Sequence, residues 1–200
     1  MPKTHNHPKE EITVVLIKPD GVKRGLTGDI TSRIEQRGLK IIALGMVEPT
    51  RPLIDDHYPK NKEWINRLGE KTMSTYSKYN IDPEEQLGTS DTLKIGTMVR
   101  EWLLDFMTSG PLVKMVVKGI HAIDMVRKLA GHTLPNMADM GTIRGDYSVD
   151  SPASANRDNR AVHNIIHASE TPEEAAKEID LWFKKEEIHD YKRSDEDIMF

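Results

Sequence analysis

The sequence predicts an α/β sandwich, an α+β fold in which helices pack on a four-stranded, mainly antiparallel sheet. Two observations predict this fold class. Short apolar segments rich in β-branched residues alternate with helical segments, in the order strand, helix, strand, helices, strand, helix, strand, helix. Glycine and proline punctuate the boundaries between these segments. A ferredoxin-like split βαβ core accommodates this order, and 200 residues suffice for one domain with insertions.

The beginning of the chain is predicted to form a strand, a helix and a second strand. Residues 13–18 are a short apolar run, and the proline, aspartate and glycine at 19–21 end it in a turn. Apolar residues repeat at helical spacing over 26–34, and Gly38 is placed to end that helix as a left-handed cap. Residues 39–47 return to a strand pattern.

The middle of the chain carries helices around a polar loop. A helix is predicted near residues 64–68, and residues 82–91 read as an exposed loop because they are polar and contain proline and glycine. Residues 98–107 have the apolar spacing of an amphipathic helix. A strand over 113–117 and a helix over 123–131 follow, which returns the chain to the sheet.

His167 lies between a strand pattern and a strongly signalled helix start. Alternation over residues 162–166 predicts a largely buried strand that presents His167 at its end. Thr171 begins a capping box, in which a proline follows and the Glu174 side chain is placed to reach back to the Thr171 amide. Glu178 follows on the second turn, where its carboxylate can fold back toward the strand. These residues therefore form one predicted unit.

The composition excludes several classes of function. A net charge of −4 gives no general attraction to nucleic acid or to an anionic membrane, so no specific nucleic-acid partner is expected. The absence of cysteine excludes disulfides, thiolate metal sites and cysteine nucleophiles, and it fits a reducing compartment. Residues 1–11 are polar, and no segment approaches the roughly 20 apolar residues of a membrane span. We therefore expect a cytoplasmic protein without a membrane partner.

Any phosphate must be held by side chains, because the sequence has no glycine-rich phosphate-binding loop. The candidates are Lys18 at a strand end, Arg127 on a helix, and Arg144 in the glycine-flanked loop 141–146. Its segment alone favours the interpretation of Lys18 as a lysine that snorkels from the sheet edge. Together with His167, these cations describe a site for phosphoryl transfer, in which catalysis depends on positioning and charge neutralisation.

Three separated segments, in the same order, resemble the signature segments of the nucleoside diphosphate kinases. They are IKPDGV at 17–22, GTIRGD at 141–146 and NIIHAS at 164–169. The resemblance covers about residues 11–47 and 97–193. It implies the ferredoxin-like fold and an enzyme that passes the γ-phosphate of a nucleoside triphosphate to a nucleoside diphosphate.

The resemblance implies a ping-pong mechanism through a phosphohistidine on His167, with broad tolerance for the nucleobase. An imidazole suits both half-reactions, because it is nucleophilic when neutral and a good leaving group once phosphorylated. Mg²⁺ is implied as a partner of the nucleotide phosphates rather than as an ion in a protein cage. A homo-oligomer is also implied, with a hexamer favoured and with the exposed loop 133–140 near the subunit contacts.

The resemblance also assigns roles to individual residues. Lys18 would contact the transferred phosphate, with Tyr58 close to the active site. The residues that would hold the nucleotide phosphates are Arg127, Thr133 and Arg144, and Asn164 would bind the region of the sugar hydroxyls. Ser169 and Glu178 would restrain His167 by hydrogen bonds, as groups behind a reactive side chain commonly do.

The chain departs from compact family members in two places. The single domain, residues 1–200, contains an insertion within about 59–96 and a longer loop at about 148–160. The predicted walls of the nucleobase slot become Val99 and Ala161. Aromatic residues of the insertion could replace the missing wall, and the candidates are Trp64, Tyr76 and Tyr79.

The altered base walls leave an alternative function from another class, a catalytically silent nucleotide-binding or interaction protein on the same fold. The remaining histidines carry no motif. His163 is predicted to be structural and to share a strand face with His167, on the order of 13 Å away and too far to bind one metal with it. The histidines predicted at the surface or at helix ends are His57, His121, His132 and His189. His57, beside Tyr58, could also lie near the site without acting in it.

Overall fold

A computed structural model describes residues 9–199 of the chain. Its sheet has the order β2-β3-β1-β4, and every pair of neighbouring strands is antiparallel. The strands are β1 (Glu10–Ile17), β2 (Lys40–Val47), β3 (Leu112–Ile120) and β4 (Ile166–Ala168). The predicted four-stranded α/β sandwich with a split βαβ core is thus confirmed.

Eleven α-helices lie within the described residues. Five precede the helix that leads into β3: α1 (Pro19–Lys23), α2 (Thr27–Gln36), α3 (Arg51–His57), α4 (Lys62–Lys78) and α5 (Pro83–Leu87). The others are α6 (Thr92–Met107), α7 (Ala122–Ala130), α8 (Ile143–Tyr147), α9 (Pro152–Arg157), α10 (Pro172–Trp182) and α11 (Glu196–Met199). Across residues 9–199, none of these helices has the length and apolarity that a bilayer crossing requires.

Strand β1 is buried on both faces, because its alternate side chains point to opposite sides of the sheet. Val15 and Ile17 pack in a cluster with apolar residues of α2 and α7. Val14 and Leu16 pack in a second cluster with residues of α3, α6 and α10. All four side chains are fully buried. The position of β1 between β3 and β4 therefore places the end of β1 and the start of β4 side by side in the middle of the molecule.

Most element boundaries agree with the sequence patterns. Gly38 follows α2 with a φ of 88°, which confirms the predicted left-handed cap. The predicted turn at residues 19–21 is instead the start of the short helix α1, with a proline at its first position. The predicted loop at 82–91 contains the short helix α5, and the longer segment at 148–160 contains α9.

The strand predicted over residues 162–166 is wrong. Strand β4 begins only at Ile166, and Ile165 has a φ of 69°, which breaks the alternation that the sequence suggested. Hydrogen bonds hold this unusual backbone: Asp20 Oδ2 accepts from the Ile165 amide at 3.0 Å, and the Lys18 amide donates to the Ile165 carbonyl at 2.7 Å. His167 consequently lies within β4, opposite Leu16, and not beyond its end.

Helices α4 and α6 cross at two glycines, where the backbone of each helix touches the backbone of the other. A methyl group on Gly69 would lie 1.8 Å from the Thr92 carbonyl oxygen, and one on Gly96 would lie 1.9 Å from the Ile65 carbonyl oxygen. Such contacts require glycine, because the obstacle is backbone and cannot rotate away. Helices α4 and α6 therefore form a tightly packed helical hairpin.

We predict that Gly96→Ala lowers the thermal unfolding temperature, since its methyl group forces α4 and α6 apart, and overpacking of this kind costs about 1–3 kcal/mol. The matched control is Gly28→Ala in α2, where a methyl group meets no atom within 4 Å. That control should leave the unfolding temperature unchanged or raise it slightly, because alanine within a helix is more stable than glycine by roughly 0.5–1 kcal/mol. Equal unfolding temperatures for the two variants, by circular dichroism, would contradict the crossing as described.

Candidate active site

A buried carboxylate connects the predicted catalytic residues. His167 Nε2 lies 2.7 Å from Glu178 Oε1, and Ser169 Oγ donates to Glu178 Oε2 at 2.6 Å. The Val14 amide donates to Ser169 Oγ at 3.2 Å, which ties the group to β1. Since a carboxylate only accepts, Nε2 carries the proton and the His167 Nδ1 atom keeps its lone pair. The predicted unit of histidine, serine and glutamate is therefore assembled.

Burial keeps His167 neutral. It lowers the pKa of His167 well below its usual range, and the positive charge of Lys18 lowers that pKa further. Burial also raises the pKa of Glu178, although its hydrogen bond from Ser169 opposes the rise. A neutral imidazole with a defined tautomer is the form in which histidine acts as a nucleophile.

The start of α10 places Glu178. Thr171 Oγ1 accepts from the Glu174 amide at 3.2 Å, as the capping-box pattern predicts. The other half of that prediction is wrong, because the Glu174 carboxylate accepts from the Glu170 amide and does not reach back to Thr171. The cap fixes the first turn, so the Glu178 side chain, one turn further on, faces β4.

Lys18, Asn164 and Thr133 form a chain of hydrogen bonds beside His167. Lys18 Nζ donates to Asn164 Oδ1 at 2.7 Å, and Asn164 Nδ2 donates to the Thr133 carbonyl at 2.9 Å. Lys18 is 7% exposed, and burial, with a further contribution from Arg144, lowers its pKa to about 8. The lysine is therefore a buried cation at the active site, and it does not snorkel to the sheet edge.

Arg144 was expected in an adaptable loop, but it lies in α8 and is 8% exposed. Its guanidinium donates to three backbone carbonyls, those of Gly131 (2.7 Å), Asn164 (3.1 Å) and Ile166 (2.6 Å). Burial and the charge of Arg127 lower the pKa of Arg144 to about 10. A guanidinium has five N–H groups, so donors remain for a bound anion.

Arg127 is the most accessible cation of the predicted set. Its Nη1 atom lies 3.0 Å from Glu170 Oε1, and the two side chains are 42% and 62% exposed. Exposed ion pairs of this kind contribute little, about 0–1 kcal/mol. Glu170 can therefore give up Arg127 to a bound phosphate at small cost.

His57 lies closer to the catalytic group than the sequence patterns indicated. It was expected at the surface or at a helix end, and it does end α3, but its side chain is only 2% exposed. Its Nδ1 atom accepts from Trp182 Nε1 at 3.3 Å and lies 3.4 Å from Glu178 Oε1, and its ring centre is 4.8 Å from that of His167. Burial, and then the proximity of His167, lowers the pKa of His57 to about 3, so its ring is neutral.

Tyr58 lies next to this group, as predicted. The centre of its ring is 5.0 Å from the centre of the His57 ring. The Tyr58 ring also stacks on the Trp64 ring, with 6.1 Å between their centres. Burial raises the pKa of Tyr58, and the charge of Glu178 raises it further. Of the three aromatic residues proposed to replace the wall of the nucleobase slot, only Trp64 contacts this group, through Tyr58. Tyr76 is buried against Asn156, and Tyr79 is 51% exposed.

His163 does not share a strand with His167, because β4 begins after it. Its ring stacks on Phe106 at 4.7 Å between centres. The Phe106 ring lies 5.8 Å from Lys18 Nζ, so this stack borders the site without joining its hydrogen bonds.

One group of possible metal ligands occurs in the described part of the chain. His57, His167 and Glu178 each offer a ligand atom, and these atoms lie within 4.8 Å of one another. The same atoms already take part in the contacts between these three side chains and with Trp182. The arrangement is therefore better suited to holding a proton and orienting an imidazole than to an ion.

The geometry as a whole suits transfer of a phosphoryl group. A neutral imidazole is restrained through Nε2 by a carboxylate, and three cations surround it, two of them buried. Fixed positive charge in a partly dry site stabilises the negative charge of a phosphoryl group far better than the same charge in water.

Comparison with known proteins identifies the family. The family profile "Nucleoside diphosphate kinase" matches residues 11–75 and 93–188. A nucleoside diphosphate kinase of Pyrobaculum aerophilum is 47% identical over 178 residues, which is 89% of this chain and 97% of the relative. One from Pyrococcus furiosus is 39% identical over 181 residues, which is 90% of this chain and 88% of that relative.

Solved structures of nucleoside diphosphate kinases are also similar to this chain. An NDP kinase from Pyrobaculum aerophilum has a TM-score of 0.87 at 45% identity, covering 90% of this chain and all of that chain (100%). A transition state mimic of nucleoside-diphosphate kinase from Borrelia burgdorferi, with bound vanadate and ADP, has a TM-score of 0.75 at 34% identity, covering 96% and 97%. The chain therefore belongs to the nucleoside diphosphate kinase family and is a phosphotransferase of nucleotide metabolism.

Proposed function

We propose that the protein transfers the γ-phosphate of a nucleoside triphosphate to a nucleoside diphosphate through a phosphohistidine on His167. The observation that carries this proposal is the neutral His167 ring, which Glu178 holds through Nε2 so that Nδ1 is the nucleophilic atom. The Borrelia relative bound to vanadate and ADP supports the same nucleotide chemistry, since vanadate is a phosphate analogue.

In the first half-reaction, the lone pair of His167 Nδ1 attacks the γ-phosphorus. The bond from phosphorus to the bridging oxygen breaks, and the nucleoside diphosphate leaves with that electron pair. The ring gains positive charge, which the Glu178 carboxylate offsets through the Nε2 proton. In the second half-reaction, a terminal oxygen of another nucleoside diphosphate attacks the phosphohistidine, and the P–N electron pair returns to Nδ1.

The surrounding residues bind and orient the substrate. Lys18 contacts the transferred phosphate, while Arg127, Thr133 and Arg144 hold the nucleotide phosphates and Asn164 binds the sugar hydroxyls. Ser169 and Glu178 orient His167, and Tyr58 lies close to it, beside His57. Because these contacts are made with phosphate and sugar, the enzyme tolerates different nucleobases. Val99, which is half-buried, and Ala161, which is 4% exposed, remain the predicted walls of the nucleobase slot.

Mg²⁺ would bind to the nucleotide phosphates and enter the site with them. The close ligand group at the site, His57, His167 and Glu178, offers two nitrogens and one carboxylate, whereas Mg²⁺ prefers an octahedron of oxygens. The buried cations of the site fit phosphates and not a metal. When bound, the ion would neutralise part of the phosphate charge.

The complete hydrogen-bond network supports catalysis over the silent alternative. Glu178 keeps both His167 and Ser169 as partners, and Lys18 keeps Asn164. A nucleotide-binding protein without activity would need only the cations.

We also propose that the chain is one domain with an insertion at about 59–96 and a longer segment at about 148–160. The family profile leaves residues 76–92, within the proposed insertion, unmatched.

We propose that the protein forms a homo-oligomer, with a hexamer favoured. Strand β2 is an edge of the sheet within the described residues, and its Leu44 and Met46 side chains are 58% and 63% exposed. In the loop 133–140, Met137 and Met140 are 61% and 82% exposed. Unpaired strand edges and exposed apolar side chains are features that contact between subunits would cover.

His167→Ala is expected to abolish labelling by γ-labelled ATP and to abolish nucleotide exchange, since it removes the nucleophile. Wild-type protein should carry an acid-labile, alkali-stable label, as a phosphohistidine does. The matched control is His189→Ala. His189 is exposed, and its backbone amide donates to the Ile42 carbonyl, a bond that the substitution keeps. Label retained on His167→Ala would refute the proposed function.

The value of kcat/KM should fall as the pH rises through about 8, because Lys18 then loses the proton that gives it its charge. Below that pH the ammonium is intact and can neutralise phosphate. Steady-state rates measured across the alkaline range test this. A level profile up to about pH 10, where an ordinary lysine titrates, would show that the charge of Lys18 is not needed.

Multi-angle light scattering at micromolar concentration is expected to give the mass of a homo-oligomer. A charged substitution at the exposed edge, Met46→Lys, should weaken the assembly, since an interface would desolvate that charge. A monomer in the wild-type protein would overturn the oligomer proposal and leave the phosphohistidine proposal standing.

A further inference from the structure

Arg100 of α6 is a buried cation that none of the predicted roles includes. It is 8% exposed, and its contacts converge on the end of α3. The guanidinium donates to the carbonyls of Asp55 (3.0 Å), Tyr58 (3.5 Å) and Pro59 (3.2 Å). Its Nη1 atom also lies 2.8 Å from the Asp55 carboxylate. Two nitrogens of its side chain, Nε and Nη2, therefore donate to one short stretch of backbone, and the third, Nη1, pairs with a side chain of the same stretch.

That stretch is the C-terminal end of a helix. The last carbonyls of an α-helix have no partner within the helix, so donors must come from elsewhere. Helix α3 ends at His57, and Tyr58 already has an extended backbone with a ψ of 140°. Arg100 therefore acts as a cap from another helix, at the point where the chain leaves α3.

The residues at this point are the two that reach the catalytic group. The His57 Nδ1 atom lies 3.4 Å from Glu178 Oε1, and its ring packs on His167. The Tyr58 ring lies between His57 and Trp64. Helix α3 has only seven residues, and helices this short are not stable on their own, so their direction depends on external contacts.

Stability alone does not account for a buried arginine here. The guanidinium loses hydration on burial, and its ion pair with the Asp55 carboxylate, which is 37% exposed, offsets that loss only in part. The guanidinium supplies something that an apolar side chain lacks, namely several donors in one rigid plane. Those donors fix the direction of three carbonyls at once.

We propose that Arg100 is a positioning residue of the phosphoryl transfer, which holds the end of α3 so that His57 and Tyr58 pack correctly against His167 and Glu178. This inference rests on the proposed function of His167. The hydrogen bonds and ion pair of Arg100 go to residues 55, 58 and 59 and not to His167, so it acts through that stretch of chain.

The test compares Arg100→Met and Arg100→Lys with Arg51→Met. Arg51 is the matched control, because it also joins α3 to α6, through Glu101 and Asp105, but it is 47% exposed and does not contact residues 55–59. The measurements are the single-turnover rate of His167 phosphorylation, kcat, KM and the unfolding temperature.

Arg100→Met should slow phosphorylation of His167 about 10- to 100-fold, the scale on which small misplacements reduce rates, with a smaller change in KM. Arg100→Lys should recover part of the rate, since it keeps the charge beside Asp55 but not the planar donors. Arg51→Met should keep the wild-type rate. In a further variant, Arg100→Ala, guanidinium ion at millimolar concentration should raise the rate, because it can occupy the space that the side chain leaves.

A wild-type phosphorylation rate in folded Arg100→Met would overturn the positioning role, whatever its unfolding temperature. Should that variant fail to fold, Arg100→Lys decides: a wild-type rate there overturns the proposal, and a reduced rate supports it. The two proposals fail separately. Absence of label on the wild-type protein refutes the phosphohistidine, whereas equal labelling of wild type and Arg100 variants refutes only the role of Arg100.

Discussion

The Glu178 carboxylate is the constraint on which the site depends. It lies 2.7 Å from His167 and accepts from Ser169 at 2.6 Å, and it is 5% exposed, so water cannot replace either partner. A buried carboxylate must be fully hydrogen-bonded to be tolerated. The pairing of β4 with β1 places the histidine and the serine, and the capped start of α10 places the glutamate. The fold thus brings three sequence-local residues into one rigid group.

The phosphate-binding side is held differently, by the backbone. Arg144 is held by three carbonyls, and Lys18 is held through Asn164 by the Thr133 carbonyl. These cations do not need to reorganise when an anion arrives, which is the condition under which charge is most effective in catalysis. Arg127 differs, because its partner Glu170 is a solvated side chain. The site therefore combines two fixed charges with one that can move to meet the substrate.

The sequence predicted the parts of the fold that periodicity and capping encode. The sheet, the cap at Thr171 and the meeting of His167 with Glu178 follow from patterns within short segments. Apolar alternation could not reveal the reversal at Ile165, because its positive φ is held by hydrogen bonds with distant residues: the Lys18 amide donates to its carbonyl, and the Asp20 carboxylate accepts from its amide. The burial of His57 and the contacts of Arg100 could not be predicted for the same reason. Their importance comes from contacts across the fold and not from local spacing.

The two segments predicted to be longer than in compact relatives, about 59–96 and 148–160, contact each other directly. The Tyr76 hydroxyl, at the end of α4, donates to the Asn156 carbonyl of α9, and Gln86 donates to the Arg157 carbonyl. Tyr76 is 1% exposed, so removing the segment around α9 would expose part of its aromatic ring to water. The two segments therefore form one packing unit, in which shortening one changes the surroundings of the other.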